Sequence, residues 1–142
     1  MENKPAFGVE SEFNMDLKSK ERVHNILDFL NRAPLDPAYA GYFTPEIAYR
    51  AWMAIFRETK CIMKQEERDL LYSLRDSLTG IYNNFIKLKH SQRSTMRVKA
   101  ITLAAELNKG LDDFGMEIMD ILQAHKYIYR AGMDIHKAVL NR

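Results

Sequence analysis

After Pro45 this chain contains no proline, and the stretch from Glu46 to Arg142 carries only four of its six glycines. A β-rich fold needs turn residues every 8–12 positions or so, so a stretch this poor in backbone breakers must fold mainly as helix. Its start is marked by Thr44-Pro45-Glu46: a threonine suited to the N-cap, a proline at the first helical position, and an acid at the positive end of the helix dipole.

From there the apolar residues repeat with helical spacing. Ile47, Ala48, Ala51, Trp52, Ile55, Phe56, Thr59 and Ile62 predict a first helix to about Met63, with Trp52 as a core anchor. The polar stretch Lys64 to Asp69 separates it from a second stripe, Leu70, Leu71, Leu74, Leu78, Ile81, Phe85 and Leu88. Ser91 to Thr95 supplies cap-type residues before a third, Val98, Ile101, Ala104, Ala105, Leu111, Phe114, Ile118 and Leu122. A break at Gln123 to Lys126 precedes a fourth, Ile128, Ala131, Ile135, Ala138 and Val139. Short connections force successive helices side by side, which predicts an all-α, antiparallel up-down four-helix bundle over residues 44–142.

Residues 1–43 form an N-terminal arm. Leu17, Val23, Ile26, Leu27 and Leu30 predict one short amphipathic helix, followed by Ala33-Pro34-Leu35-Asp36-Pro37 and the aromatic segment Tyr39, Tyr42 and Phe43. Its apolar stripe must be covered by its own bundle or by a neighbour. Met1 to Lys20 lacks the apolar core of a signal peptide, and no apolar run approaches a membrane span. The single cysteine, Cys61, falls on the apolar face of the first helix as a small core residue. Together these features predict a cytoplasmic domain without membrane contact.

No constellation points to catalysis or to a cofactor. Glu21 and His24 share the Glu-x-x-His spacing of di-iron bundles, but there is no second such pair to complete a site. His125 and His136 would stand roughly 16 Å apart along one helix, too far for a single metal. Gly-rich phosphate loops, nucleophile elbows and Cys-x-x-Cys pairs are missing. Gly110, Gly115 and Gly132 fall inside predicted helices, where each costs about 1 kcal/mol relative to alanine. They mark either close helix approach or tolerated imperfections.

Charge is the more informative feature. The net charge is only +2, yet no acid occurs between Asp76 and Glu106, while Lys87, Lys89, Arg93, Arg97 and Lys99 fall in that interval with His90. Lys87 and Lys89 suit the C-terminus of the second helix, but Arg97 and Lys99 oppose the dipole at the start of the third. In the expected topology the turn between these helices shares an end with Arg50, Lys137 and Arg142, while Glu66, Glu67, Asp69, Glu117 and Asp120 gather at the other. The basic pole is read as a solvated face, as a surface for phosphate backbone or an acidic protein, or as a face that meets the acidic pole of another copy in an oligomer. Few aromatic residues lie beside it, so nucleic acid would be held by its backbone with little sequence selectivity.

From about Ala48 to Arg142 the layout resembles the small four-helix-bundle accessory proteins of diversity-generating retroelements, which share a fold with ribosomal intervening-sequence proteins. The resembling pieces are Lys64-Gln65-Glu66-Glu67-Arg68 before Arg75-Asp76-Ser77-Leu78, the basic turn, and Lys126-Tyr127-Ile128-Tyr129-Arg130-Ala131. The resemblance implies a homo-oligomer that binds nucleic acid and a reverse transcriptase without catalysing a reaction. The glycine-glycine-tryptophan ending of that family has no counterpart in His136 to Arg142, and the N-terminal arm is additional.

The expectation is therefore a non-enzymatic helical accessory protein, without metal or cofactor, that binds nucleic acid through Lys87, Lys89, Arg93, Arg97 and Lys99. Reversing Arg93 and Arg97 to Glu should abolish binding without changing the fold. The alternative is a protein-interaction module that presents Tyr39, Tyr42 and Phe43.

Overall fold

The structure, a computed structural model, describes residues 17–127, and within them it is all-helical. Helix α1 spans Leu17–Arg32, the short α2 Pro37–Ala40, α3 Pro45–Thr59, α4 Gln65–Lys89 and α5 Ser94–Ala124; a 3-10 turn, Lys60–Ile62, follows α3. The fourth predicted stripe and Gly132 lie outside the described residues.

Local chemistry sets most of the boundaries. Thr44 takes an extended conformation and its hydroxyl accepts the Ile47 N–H at 3.3 Å, with Pro45 opening the helix as the sequence predicts. The first helix ends at Thr59, earlier than the stripe suggests, and the chain tightens into the 3-10 turn. Arg68 holds that turn by donating to the carbonyls of Met63 at 2.7 Å and Lys60 at 3.3 Å. Cys61 is consequently exposed on the turn and is not the core residue expected. The polar stretch after Lys64 is helical from Gln65 onward: Glu66 and Glu67 suit the positive end of the dipole, and the Glu67 carboxylate accepts the Lys64 N–H at 2.7 Å.

The polar break at Gln123 to Lys126 ends α5 as a Schellman motif. Tyr127 N–H reaches Leu122 O and Lys126 N–H reaches Gln123 O, both at 2.9 Å, with Lys126 in the left-handed region at φ 57°. That conformation normally favours glycine, because a Cβ there crowds the carbonyl.

Cross-contacts fix the helix directions. Arg22 pairs with Glu58 and Phe29 meets Phe43, so α1 runs antiparallel to α3. Tyr49 stacks on Tyr82 and Phe56 meets Tyr72 edge-on, so α3 runs antiparallel to α4. Glu67 meets His125, so α4 runs antiparallel to α5. Helix α1 of the arm thus folds on its own chain: Val23, Leu27 and Leu30 are buried in the same core as Trp52, Phe56, Leu71, Phe114 and Ile118.

The centre of this core is the contact between α3 and α5. Trp52 lies against Gly115, where an added Cβ would come within 2.6 Å of the indole. Gly115 therefore permits a close approach, and its helix-propensity cost has a packing reason. Thr59 is fully buried but satisfied, since its hydroxyl donates to Ile55 O at 2.7 Å.

One stripe is out of phase with the expectation. Val98 and Ile101 are 61% and 70% exposed, and Ala105 is exposed as well, whereas Ala100, Leu107 and Leu111 are buried. Leu70 is also largely exposed, with Leu71 buried beside it. The inward face of α5 steps through Ala100, Ala104, Leu107, Leu111, Phe114 and Ile118, alternating four and three residues. Ile101→Ser should accordingly change stability by no more than about 0.5 kcal/mol, whereas Leu107→Ala should cost about 2–5 kcal/mol. Urea unfolding of the two variants checks the phase, and a large loss for Ile101→Ser would reverse it.

Candidate nucleic-acid interface

The connection between α4 and α5 is built by its own polar atoms. Ser91 N–H donates to Leu88 O, and the Ser91 hydroxyl accepts the Arg93 N–H at 3.1 Å. The Arg97 guanidinium reaches back from the first turn of α5 to the carbonyls of Ser91 at 3.1 Å and Gln92 at 3.0 Å. This gives Arg97 a structural task that offsets its unfavourable position in the helix dipole. Reversing it would damage the turn as well as remove a charge, so the pair Arg93 and Arg97 is not the clean probe that the sequence suggests.

The five basic residues thus divide into two kinds. Lys89 forms an ion pair with Glu46 at the start of α3, and its ammonium stands 5.5 Å from the centre of the Phe85 ring. Lys89 and Arg97 are committed to the fold. Lys87, Arg93 and Lys99 are exposed and, with Arg97 and His90, surround the turn. Arg50 is exposed one turn beyond Glu46 on α3, at the end of the molecule that the Lys89 pair defines. Lys137 and Arg142 lie outside the described residues.

At the opposite end, Glu67 Oε1 lies 2.9 Å from His125 Nε2 and also receives the Lys64 N–H. Partial burial raises the Glu67 carboxyl, but the hydrogen bonds from His125 and Lys64 outweigh it and hold the group below its ordinary value of 4.5. Burial acts on Glu46 in the same way and is outweighed by Lys89, while Glu58 is held down first by the hydrogen bond from Arg22. All three carboxylates have depressed pKa values. Their contribution to stability is complete above about pH 4.5 and is lost as pH falls through the folded values. A melting temperature that holds from pH 7 to 5 and falls below about 4.5 is expected, and Glu67→Gln should make that fall shallower. An unchanged acid limb in the variant would deny Glu67 this role.

The aromatic segment is divided too. Phe43 is half-buried and its ring lies 5.8 Å from that of Phe29, which commits it to the docking of α1. Tyr42 is 73% exposed, and Leu35, earlier in the same segment, is 68% exposed. Tyr39 lies in α2, and its side chain is outside the described part. Of the three, Tyr42 is the one whose side chain is seen largely exposed.

A second basic feature emerges only in three dimensions. Helices α3 and α4 touch sparingly, because both lie mainly on α5 or bridge through aromatic rings. Between them opens a cleft of about 700 Å³ lined by Arg50 and Arg57 from α3, by Lys60 from the 3-10 turn that follows it, and by Arg75, Asp76 and Thr79 from α4. Arg50, Met53, Arg57 and Lys60 follow spacings of three and four residues, so the α3 side was open to detection as a helical face. The arrival of Arg75 opposite depends on the register of α3 against α4, which no local spacing reveals.

Comparison with known proteins found no match to a family model, a curated protein or a solved structure. The site must therefore be read from its own chemistry. Among the described residues no three His, Cys, Asp or Glu side chains are placed to hold a metal ion, and no helix is long and apolar enough to cross a membrane.

Proposed function

We propose that this chain is a non-enzymatic helical accessory protein that binds the phosphate backbone of nucleic acid through the pole at the α4–α5 turn. The observation that carries the reading is the grouping of exposed Lys87, Arg93 and Lys99 around a turn braced by Arg97, on a stretch of chain free of carboxylates from Ser77 to Ala105. Glu46, which lies at this end, is matched by Lys89. The remaining cations repel one another and gain from a polyanion. With His90 as the ring beside them, they supply charge and little surface for base stacking, which favours backbone contacts.

Homo-oligomer formation is part of this reading, as the resemblance implies. The resemblance to retroelement accessory bundles supports the same picture. Its test is a titration of fluorescent single- and double-stranded oligonucleotides with purified protein, its mass in solution measured alongside. Dissociation constants of order micromolar or below at low salt are expected. No binding at low salt would retire the reading in favour of a protein partner engaged through Tyr42 and the arm.

A further inference from the structure

We propose that the cleft between α3 and α4 is a binding site for an organic phosphate, separate from the basic pole and independent of the nucleic-acid reading. Its wall carries Arg50, Arg57, Lys60 and Arg75 against a single lining carboxylate, Asp76, which lies 3.3 Å from Arg75 and is itself largely exposed. Two of these cations come to one ring, Lys60 from the 3-10 turn and Arg75 from α4: Lys60 donates to the Tyr72 hydroxyl at 3.3 Å, and the Arg75 guanidinium stands 4.7 Å from the ring centre. Gathering like charges around a concavity raises the free energy of the empty site, and an anion relieves it.

The cleft is also more than a charged surface. Tyr49, Met53 and Phe56 provide an apolar lining, and Tyr49 is fixed by its stack on Tyr82, centres 4.1 Å apart, and by a hydroxyl contact to Thr79 at 2.8 Å. A volume near 700 Å³ is that of a small-molecule site. Guanidinium groups beside an apolar lining suit a ligand with a phosphate at one end and an apolar or flat body at the other. Inorganic phosphate would use only half of these contacts.

Calorimetric titration with adenosine triphosphate, adenosine and inorganic phosphate tests this. Adenosine triphosphate should bind at least about tenfold more tightly than either of the others, each of which supplies one half of the interaction. The double variant Arg50→Glu/Arg57→Glu, at two exposed positions, should retain the wild-type melting temperature and lose at least about tenfold in affinity for adenosine triphosphate. Lys87→Glu/Arg93→Glu/Lys99→Glu, which alters only the pole, should leave that affinity unchanged. Equal binding of adenosine triphosphate and inorganic phosphate, full affinity in the cleft variant, or no binding of adenosine triphosphate at millimolar concentration would each overturn the proposal. Because the pole variant is scored separately with oligonucleotides, the cleft can fail while the pole stands, or the reverse.

Discussion

Trp52→Ala should destabilise the protein by about 3–5 kcal/mol, among the largest losses expected of any single substitution in this chain. The indole is 1% exposed and lies where α3 crosses α5, so truncation leaves a cavity that neither helix can close without losing its other contacts. The same contact predicts a result opposite to helix propensity. Gly115→Ala would gain up to about 1 kcal/mol in an isolated helix, but its methyl group would stand within 2.6–2.9 Å of three atoms of the Trp52 ring system. A buried indole cannot yield as the end of a flexible chain can, so a net loss of about 1–3 kcal/mol is expected. Denaturant unfolding of the two single variants and the double variant measures both costs. The two should be strongly non-additive, since with Trp52 removed the added methyl meets open space. A stabilising Gly115→Ala in the wild-type background would contradict the packing described.

The second large effect is on binding. Lys87→Glu/Arg93→Glu/Lys99→Glu should weaken association with nucleic acid by a hundredfold or more, on the basis that each reversal removes one phosphate contact and adds one repulsion. All three side chains are exposed, so the variant should fold normally and melt close to the wild-type temperature. Arg97→Gln should behave differently. Losing the bonds to Ser91 O and Gln92 O should loosen the α4–α5 connection and lower the melting temperature along with the affinity. Lys89→Ala should chiefly affect stability, because it strands Glu46 at the start of α3 without its partner.

These distinctions show where the sequence speaks and where it does not. Thr44-Pro45-Glu46 announces α3 because capping is local: the side chain, the N–H it accepts and the proline are within four residues. The stripe of Val23, Leu27 and Leu30 marks α1 for burial, but its docking on α3, where Arg22 meets Glu58 across 36 positions, is a long-range contact that no local pattern reveals. In the first half of α5 apolar residues occupy both faces, Val98, Ile101 and Ala105 on one and Ala100, Leu103 and Leu107 on the other. Periodicity there cannot choose, and only continuity with Leu111, Phe114 and Ile118 selects the inner face. The apolar spacing continues past Thr59 to Ile62, so it places Cys61 on a helix face; the 3-10 turn that exposes it is stabilised by Arg68 from the following helix.

The candidate sites follow the same division. The pole is legible as a run without acids because its residues are contiguous, but the separate tasks of Lys89 and Arg97 appear only once Glu46 and the turn carbonyls are in place. The cleft is legible only in part. Arg50 and Arg57 lie on one face of α3 with Lys60 just past its end, but Arg75 joins them through a helix register set by the Tyr49–Tyr82 and Phe56–Tyr72 contacts.

The central claim is that exposed cations at the α4–α5 turn hold the phosphate backbone, and the most direct measurement is the salt dependence of oligonucleotide affinity in wild-type protein and the Lys87→Glu/Arg93→Glu/Lys99→Glu variant. If the three exposed cations each displace a counterion from duplex DNA, the logarithm of the association constant should fall against the logarithm of salt concentration with a slope of about −2.7, and the variant should bind too weakly to give a comparable slope. A wild-type affinity indifferent to salt, or a variant that retains the wild-type slope and affinity, would contradict the account.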